Sequence, residues 1–224
     1  MHDMVDDSNW EPTLRVIQSG EFLTQIPSRR QKLMDWPLFT VRSRKALDTT
    51  PYSEVAPIGD EIYERVIDLS WGGHYRLVWD IATARAIAQR DHVGPQFFAA
   101  DDLLPGVVTA DLDLPHVYQT DPTQGTVVVA EYPLLEEKFV ILDGNHRIFL
   151  AHHSGSDVAA LVLGEEQMCE ALCHERFRLY YAFHWNLSRW LTIEVTGRVP
   201  AAYPWFPLTK EDKAGPPLLD RESP

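Results

Sequence analysis

The sequence predicts an α+β fold, a mixed sheet with helices, carrying an N-terminal extension and a C-terminal helical segment. Three observations carry this. The apolar run Lys138–Leu142 is β-branched and aromatic and too short for a helix, so it reads as a buried strand. A polar turn follows, then a helical stretch from Asn145 to His153 stopped at Ser154-Gly155, then a second strand, Asp157–Leu163, in a compact βαβ-like unit. At 224 residues, 45% hydrophobic and 11% aromatic, the chain is long enough and apolar enough to bury a substantial core.

Taken in order, residues 1–57 have no clear period beyond a short helix over Glu11–Ser19, with Pro12 tolerated in its first turn and Gly20 ending it. Pro27, Pro37, Pro51 and Pro57 punctuate the rest, and Trp10, Trp36, Phe39 and Tyr52 suit an arm wrapped on a folded body. Asp60–Leu69 places Ile62, Val66 and Leu69 on one helical face, with acids in the first turn. Ser70–His74 is a loop, read as a tight connection with a packed Trp71 or as a ligand contact through Gly72 and Gly73. Tyr75–Trp79 reads as a strand, Ile81–Gln89 as an Ala-rich helix and Gln96–Ala100 as a strand. Asp101, Asp102, Asp111 and Asp113 follow closely, a solvated loop or an acidic cluster that binds magnesium or supplies a catalytic base. Thr126–Leu134 pairs with the strand before the polar turn.

Beyond the second strand, Glu165–Trp190 reads as one long helix or a broken pair. Met168, Leu172, Phe177, Tyr180, Tyr181, His184, Leu187 and Leu191 make a broad apolar face, suited to a core or to a homodimer through the 165–191 helix. The tail from residue 210 is charged and proline-rich and reads as disordered. The expected divisions are an extension over 1–95, a core over 96–164, a helical segment over 165–209 and the tail over 210–224.

The formal charge of −13 disfavours a dedicated DNA or RNA binder, which needs a basic face for phosphates. No apolar run approaches membrane-spanning length, and the acidic N-terminus is unlike a signal peptide, so the cytosol is the expected location. Cys169 and Cys173 fall on one side of a helix and suit buried thiols better than a zinc site.

The chemistry concentrates in Asp143-Gly144-Asn145-His146-Arg147. A helix N-terminus offers unpaired N–H groups and partial positive charge, and so attracts anions. Gly144 lets a ligand approach the backbone, Arg147 offers a fork to phosphate, His146 is a donor or titrating group, and Asp143 is a base or a cation ligand. The same residues also suit a plain turn, with Asn145 capping the helix and Arg147 paired to Asp143.

This motif, with the strands around it, resembles the Asp-Gly-x-His-Arg core of the ParB/sulfiredoxin-like family. Ala99–Pro105, with its Leu-x-Pro-like exit, and the paired stretches Thr126–Leu134 and Phe139–Asp143 strengthen the resemblance, which spans roughly 97–164. The resemblance implies a nucleotide phosphate held by Gly144, Asn145, His146 and Arg147. Sulfiredoxin chemistry needs a cysteine where Asn145 stands. The serine-kinase relatives use a glutamate after the first strand, whereas the first carboxylate here after Pro105 is Asp111.

The leading expectation is therefore a nucleotide-binding protein using Mg2+ with ATP, ADP or CTP, and a phosphotransferase acting on a small hydroxylated metabolite. Asp143, His146 and Asp111 are its catalytic candidates, and Asp143 and Asp113 its metal ligands. The alternative is a non-catalytic nucleotide-sensing or protein-interaction module. A nuclease or DNA-binding protein is the weakest fit.

Overall fold

The computed structural model describes residues 8–19, 36–50, 61–109, 112–113, 115, 125–132, 134–135 and 137–196. The architecture is α+β, as the sequence implies. The chain forms two compact units, one of residues 1–56, 64–78 and 174–224, the other of residues 57–63 and 79–173.

The first unit is organised around one long helix. In chain order it contains α1 (Glu11–Ser19), α2 (Trp36–Thr49), most of strands β1 (Ile62–Asp68) and β2 (His74–Asp80), and the long helix over Glu175–Thr196. The long helix buries nearly its whole circumference, including Phe177, Tyr180, Tyr181, Phe183, Trp185, Leu187 and Trp190. Of the two readings of this aromatic stretch the core one holds. The described residues of that stretch bury their large apolar side chains. Trp10 stacks on Tyr75 at 4.7 Å and meets Phe183 edge-on at 4.4 Å. The Arg176 guanidinium donates to the carbonyls of Leu47 and Thr50, the latter at 2.6 Å, closing the C-terminus of α2 with a cation where the dipole favours one.

Two expectations fail in this part of the chain. Within the stretch expected to be helical, Ile62–Asp68 is a strand with Tyr63 and Ile67 buried, while Ile62 and Val66 are exposed. Tyr63, Arg65 and Ile67 repeat every second residue, and pairing with β2 selected that period over the helical one. Helix α2 lies inside the stretch expected to be aperiodic. Pro37 is its second residue, where a missing N–H costs nothing, and its buried stripe of Thr40, Ser43 and Ala46 is too small and polar to show as hydropathy. The Gly72-Gly73 loop is a structural connection. A Cβ on Gly73 would sit 2.3 Å from the Asn9 carbonyl oxygen, and Asn9 and His74 exchange backbone hydrogen bonds at 2.7 and 3.0 Å.

The second unit holds the motif. After β2 come α3 (Ile81–Arg90), β3 (Gln96–Ala99), α4 (Ala100–Leu103) with a tight turn over Leu104–Gly106, β4 (Val127–Glu131), β5 (Phe139–Asp143), α5 (Asn145–Ser154), β6 (Asp157–Leu163) and α6 (Glu165–Glu170). Glu175–Thr196, the long helix, is α7. Asp80 starts α3 by accepting from the Thr83 amide at 2.6 Å, a standard N-cap. The sheet order is β3-β6-β4-β5, with β6 and β4 parallel and both outer pairs antiparallel. Helix α5 therefore joins antiparallel strands separated by β4, and is not the crossover of a parallel βαβ unit. The strand–helix–strand order was readable, but the insertion of β4 depends on pairing distant in sequence.

One sheet face packs Val127, Val129, Ile141, Val158 and Ala160 against Leu103 and against Ile148 and Ala151 of α5. Alternating residues on each strand supply this face. The Trp79 indole donates to the Met168 carbonyl at 3.1 Å, so a large buried ring keeps its polar atom satisfied. Gly155 ends α5 in the left-handed conformation, as expected. The expected disordered tail, and the divisions that depend on residues 1–7 and 197–224, lie outside the described residues. Among the described residues, no helix is long and apolar enough to cross a membrane.

Candidate functional site

The site is built where β5 ends. Asp143 is its last residue, Gly144 has φ +103°, and α5 begins at Asn145 with the Ile148 amide donating to the Gly144 carbonyl at 3.1 Å. Gly144 itself occupies the N-cap position, and no side chain caps the helix. Asn145 is thus not the cap. It stands inside the first turn, where its Oδ1 is buried with no hydrogen-bond partner among the described residues.

Gly144 is required by its neighbours. A Cβ there would lie 2.4 Å from Val127 Cγ1, in addition to the cost of a left-handed backbone. The Val127 side chain fills the space a Cβ would take, so packing alone accounts for a glycine here.

Helical spacing places Arg147 one turn from Asp143, with Arg147 Nη2 3.4 Å from Asp143 Oδ1. Arg147 Nη1 donates to the Thr126 carbonyl at 3.1 Å. Arg85, from the middle of α3, reaches the same two acceptors. Its Nη2 donates to Thr126 O at 3.2 Å and to Asp143 Oδ2 in a short ion pair. Gly125, just before Thr126, leaves room for this, since a Cβ on it would be 3.0 Å from Arg147 Nη1. The side chains of Asp143 and Arg147 are 19% and 16% exposed and that of Arg85 is 39%, so Arg85 is the cation most open to solvent.

Two guanidiniums face one carboxylate, and the positive end of α5 adds to them. In a chain of net charge −13 this is a local positive excess. The same arrangement weakens two expected roles of Asp143. Guanidiniums already engage both of its oxygens, and their charges repel a metal ion.

His146 accepts from the Asp113 backbone amide through Nε2, at 3.1 Å. That bond uses the Nε2 lone pair and ties the Asp113 segment to the first turn of α5. The Asp113 side chain is exposed, and no group of three His, Cys, Asp or Glu suited to a metal ion occurs among the described residues. Asp101, instead of joining Asp113, pairs with His152 Nδ1 at 2.5 Å at the far end of α5. Asp111 lies outside the described residues.

The structure thus brings Asp143, Gly144, Asn145, His146, Arg147 and the Asp113 backbone to one turn. Sequence reasoning missed Arg85. Its only signal is a cation in the middle of a helix of mostly small and apolar residues, whose buried positions are Ile81, Ala84, Ile87 and Ala88. The chain matches no family model, no curated protein and no solved structure.

Proposed function

We propose that this chain binds a nucleotide through a phosphate group at the turn between β5 and α5, as its resemblance to the ParB/sulfiredoxin-like family implies. The observation that carries the reading is the convergence of Arg85 and Arg147 on Asp143 and Thr126 O, at a helix start that no side chain caps. Paired guanidiniums and helix N–H groups are the donors a phosphate takes. The nucleotide would be ATP, ADP or CTP, accompanied by magnesium that its phosphates themselves ligate.

Binding without transfer fits this geometry best, because Asp143 already serves two cations. A second reading, phosphotransfer to a small hydroxylated metabolite, is favoured by the His146–Asp113 contact, which brings a carboxylate-bearing segment to the same turn. In that reaction the acceptor oxygen would bond to the terminal phosphorus, the bridging P–O bond would break, and the acceptor proton would pass to a base. A basic face suited to nucleic acid has no support in the acidic composition.

The test is calorimetric titration of ATP, ADP and CTP, with magnesium, into the wild type and Arg147→Ala. Wild-type binding that Arg147→Ala weakens about tenfold or more supports the reading. Heatless titrations with all three nucleotides overturn it. Phosphorylated product from a panel of hydroxylated acceptors would favour the second reading.

A further inference from the structure

Arg85 meets both its acceptors, Thr126 O and Asp143 Oδ2, through Nη2 alone. Among the described residues, its Nε and Nη1 have no acceptor, and the side chain is 39% exposed. Arg147 holds Asp143 loosely, with Nη2 3.4 and 3.5 Å from the two carboxylate oxygens, against about 2.7–2.9 Å for a strong charge-assisted bond. Asp143 is the last residue of β5, paired with Val128 at the edge of the turn, and its side chain is 19% exposed.

From these we infer that Asp143 is the resident anion of a two-guanidinium clamp, and that a ligand phosphate enters by taking its place. The inference rests on the phosphate-binding reading and adds to it a binding residue, Arg85, and a mechanism of entry. The unused donors of Arg85 make the first contact. A terminal phosphate carries a charge of about −1.5 to −2 and three acceptor oxygens, against one charge and two oxygens for a carboxylate. The exchange therefore improves the pairing of both guanidiniums, and the displaced Asp143 carboxylate turns to water. Until the phosphate arrives, Asp143 keeps the two cations from repelling one another. It sets the affinity by competing for them.

The exchange predicts an effect of Asp143 opposite to that of a catalytic base or metal ligand. Removing its charge should tighten phosphate binding, while removing Arg85 should weaken it. Inorganic phosphate, pyrophosphate and ATP are titrated at fixed ionic strength into wild type, Asp143→Asn, Asp143→Ser, Arg85→Ala and Arg147→Ala, each checked for folding by circular dichroism. Glu131→Gln, a charge removed from the far end of β4, controls for net charge. The expected result is binding about tenfold tighter for Asp143→Asn or, where that variant misfolds, for Asp143→Ser, with Glu131→Gln within about twofold of wild type. Arg85→Ala should lose about tenfold, as Arg147→Ala does. Wild-type binding that depends on Arg147 but is unchanged or weakened in the folded Asp143 variants overturns the exchange and leaves the phosphate site standing. An Arg85→Ala variant that binds like wild type removes Arg85 from the clamp. Absence of binding by every protein overturns the phosphate site and the exchange together.

Discussion

Arg85 and Arg147 donate to a single carbonyl oxygen, that of Thr126, at 3.2 and 3.1 Å, and both also reach the carboxylate of Asp143. Like charges lie close only when shared acceptors hold them, so the three side chains should act as a unit. Arg147→Ala, at the less exposed member, is expected to destabilise the fold by about 1–3 kcal/mol. Arg85→Ala should cost under about 1 kcal/mol, because its side chain is more than a third exposed and solvent screens its charge. The Asp143→Asn/Arg147→Ala double variant should cost less than the sum of its single changes, since losing Arg147 alone leaves Asp143 with one partner fewer. Urea unfolding of the four proteins reads the coupling, and strict additivity would show that the pair is incidental.

Gly144 tests the local geometry more severely. Its φ of +103° acts together with the crowding from Val127, whose Cγ1 would lie 2.4 Å from an added Cβ, so Gly144→Ala should destabilise by roughly 2–4 kcal/mol. Val127→Ala removes the closer Cγ1 overlap, though its own Cβ stays 2.8 Å away and the backbone cost remains. Gly144→Ala should therefore cost less in a Val127→Ala background than in the wild type, a comparison that thermal unfolding can make. Equal costs in the two backgrounds would show that Val127 does not constrain the turn.

Several elements of both units were legible, and the reason is local. Glu11–Ser19, the Ala-rich helix ending in Arg90, the strand Asp157–Leu163 and the Gly155 stop each declare themselves by periodicity or by a residue with a single conformational use. Tyr63 and Ile67 did not, because a seven-residue segment fits two periods and only its hydrogen-bonded neighbour decides between them. The same limit hid Arg85. Nothing within α3 indicates that its one central cation meets a carboxylate 58 residues later. Arg147 could be paired to Asp143 from helix spacing alone, whereas Arg85 reaches it only through the packed fold.

Asn145 makes an opposite prediction from its neighbours. A buried acceptor without a donor costs free energy, and its removal returns that cost, offsetting the lost packing. Asn145→Ala is expected to change stability by no more than about 0.5 kcal/mol, although it sits between Gly144 and His146. A loss above about 1.5 kcal/mol in denaturant unfolding would mean that the side chain has a partner after all.

His184, on α7, supplies the expected pH dependence of the first unit. Its Nδ1 hydrogen-bonds the Tyr75 hydroxyl, and burial holds its pKa down at about 4 against an ordinary 6.5. The imidazole is therefore neutral in the folded protein at pH 7. Between pH about 6.5 and about 4 the unfolded chain takes up a proton that the folded chain refuses, so folding weakens as the pH falls through that window. The contribution is fully present above pH about 6.5 and is lost progressively below it, on the order of 3 kcal/mol in all. His184→Gln keeps an acceptor for Tyr75 and removes the titration. Its unfolding free energy should therefore fall less steeply than that of the wild type from pH 7 to pH 4, while the two slopes coincide above pH 7. Urea midpoints measured at half-unit pH steps separate this contribution from that of the carboxylates, which both proteins share; parallel curves across the whole range would show that His184 is protonated as readily in the folded chain as in the unfolded one.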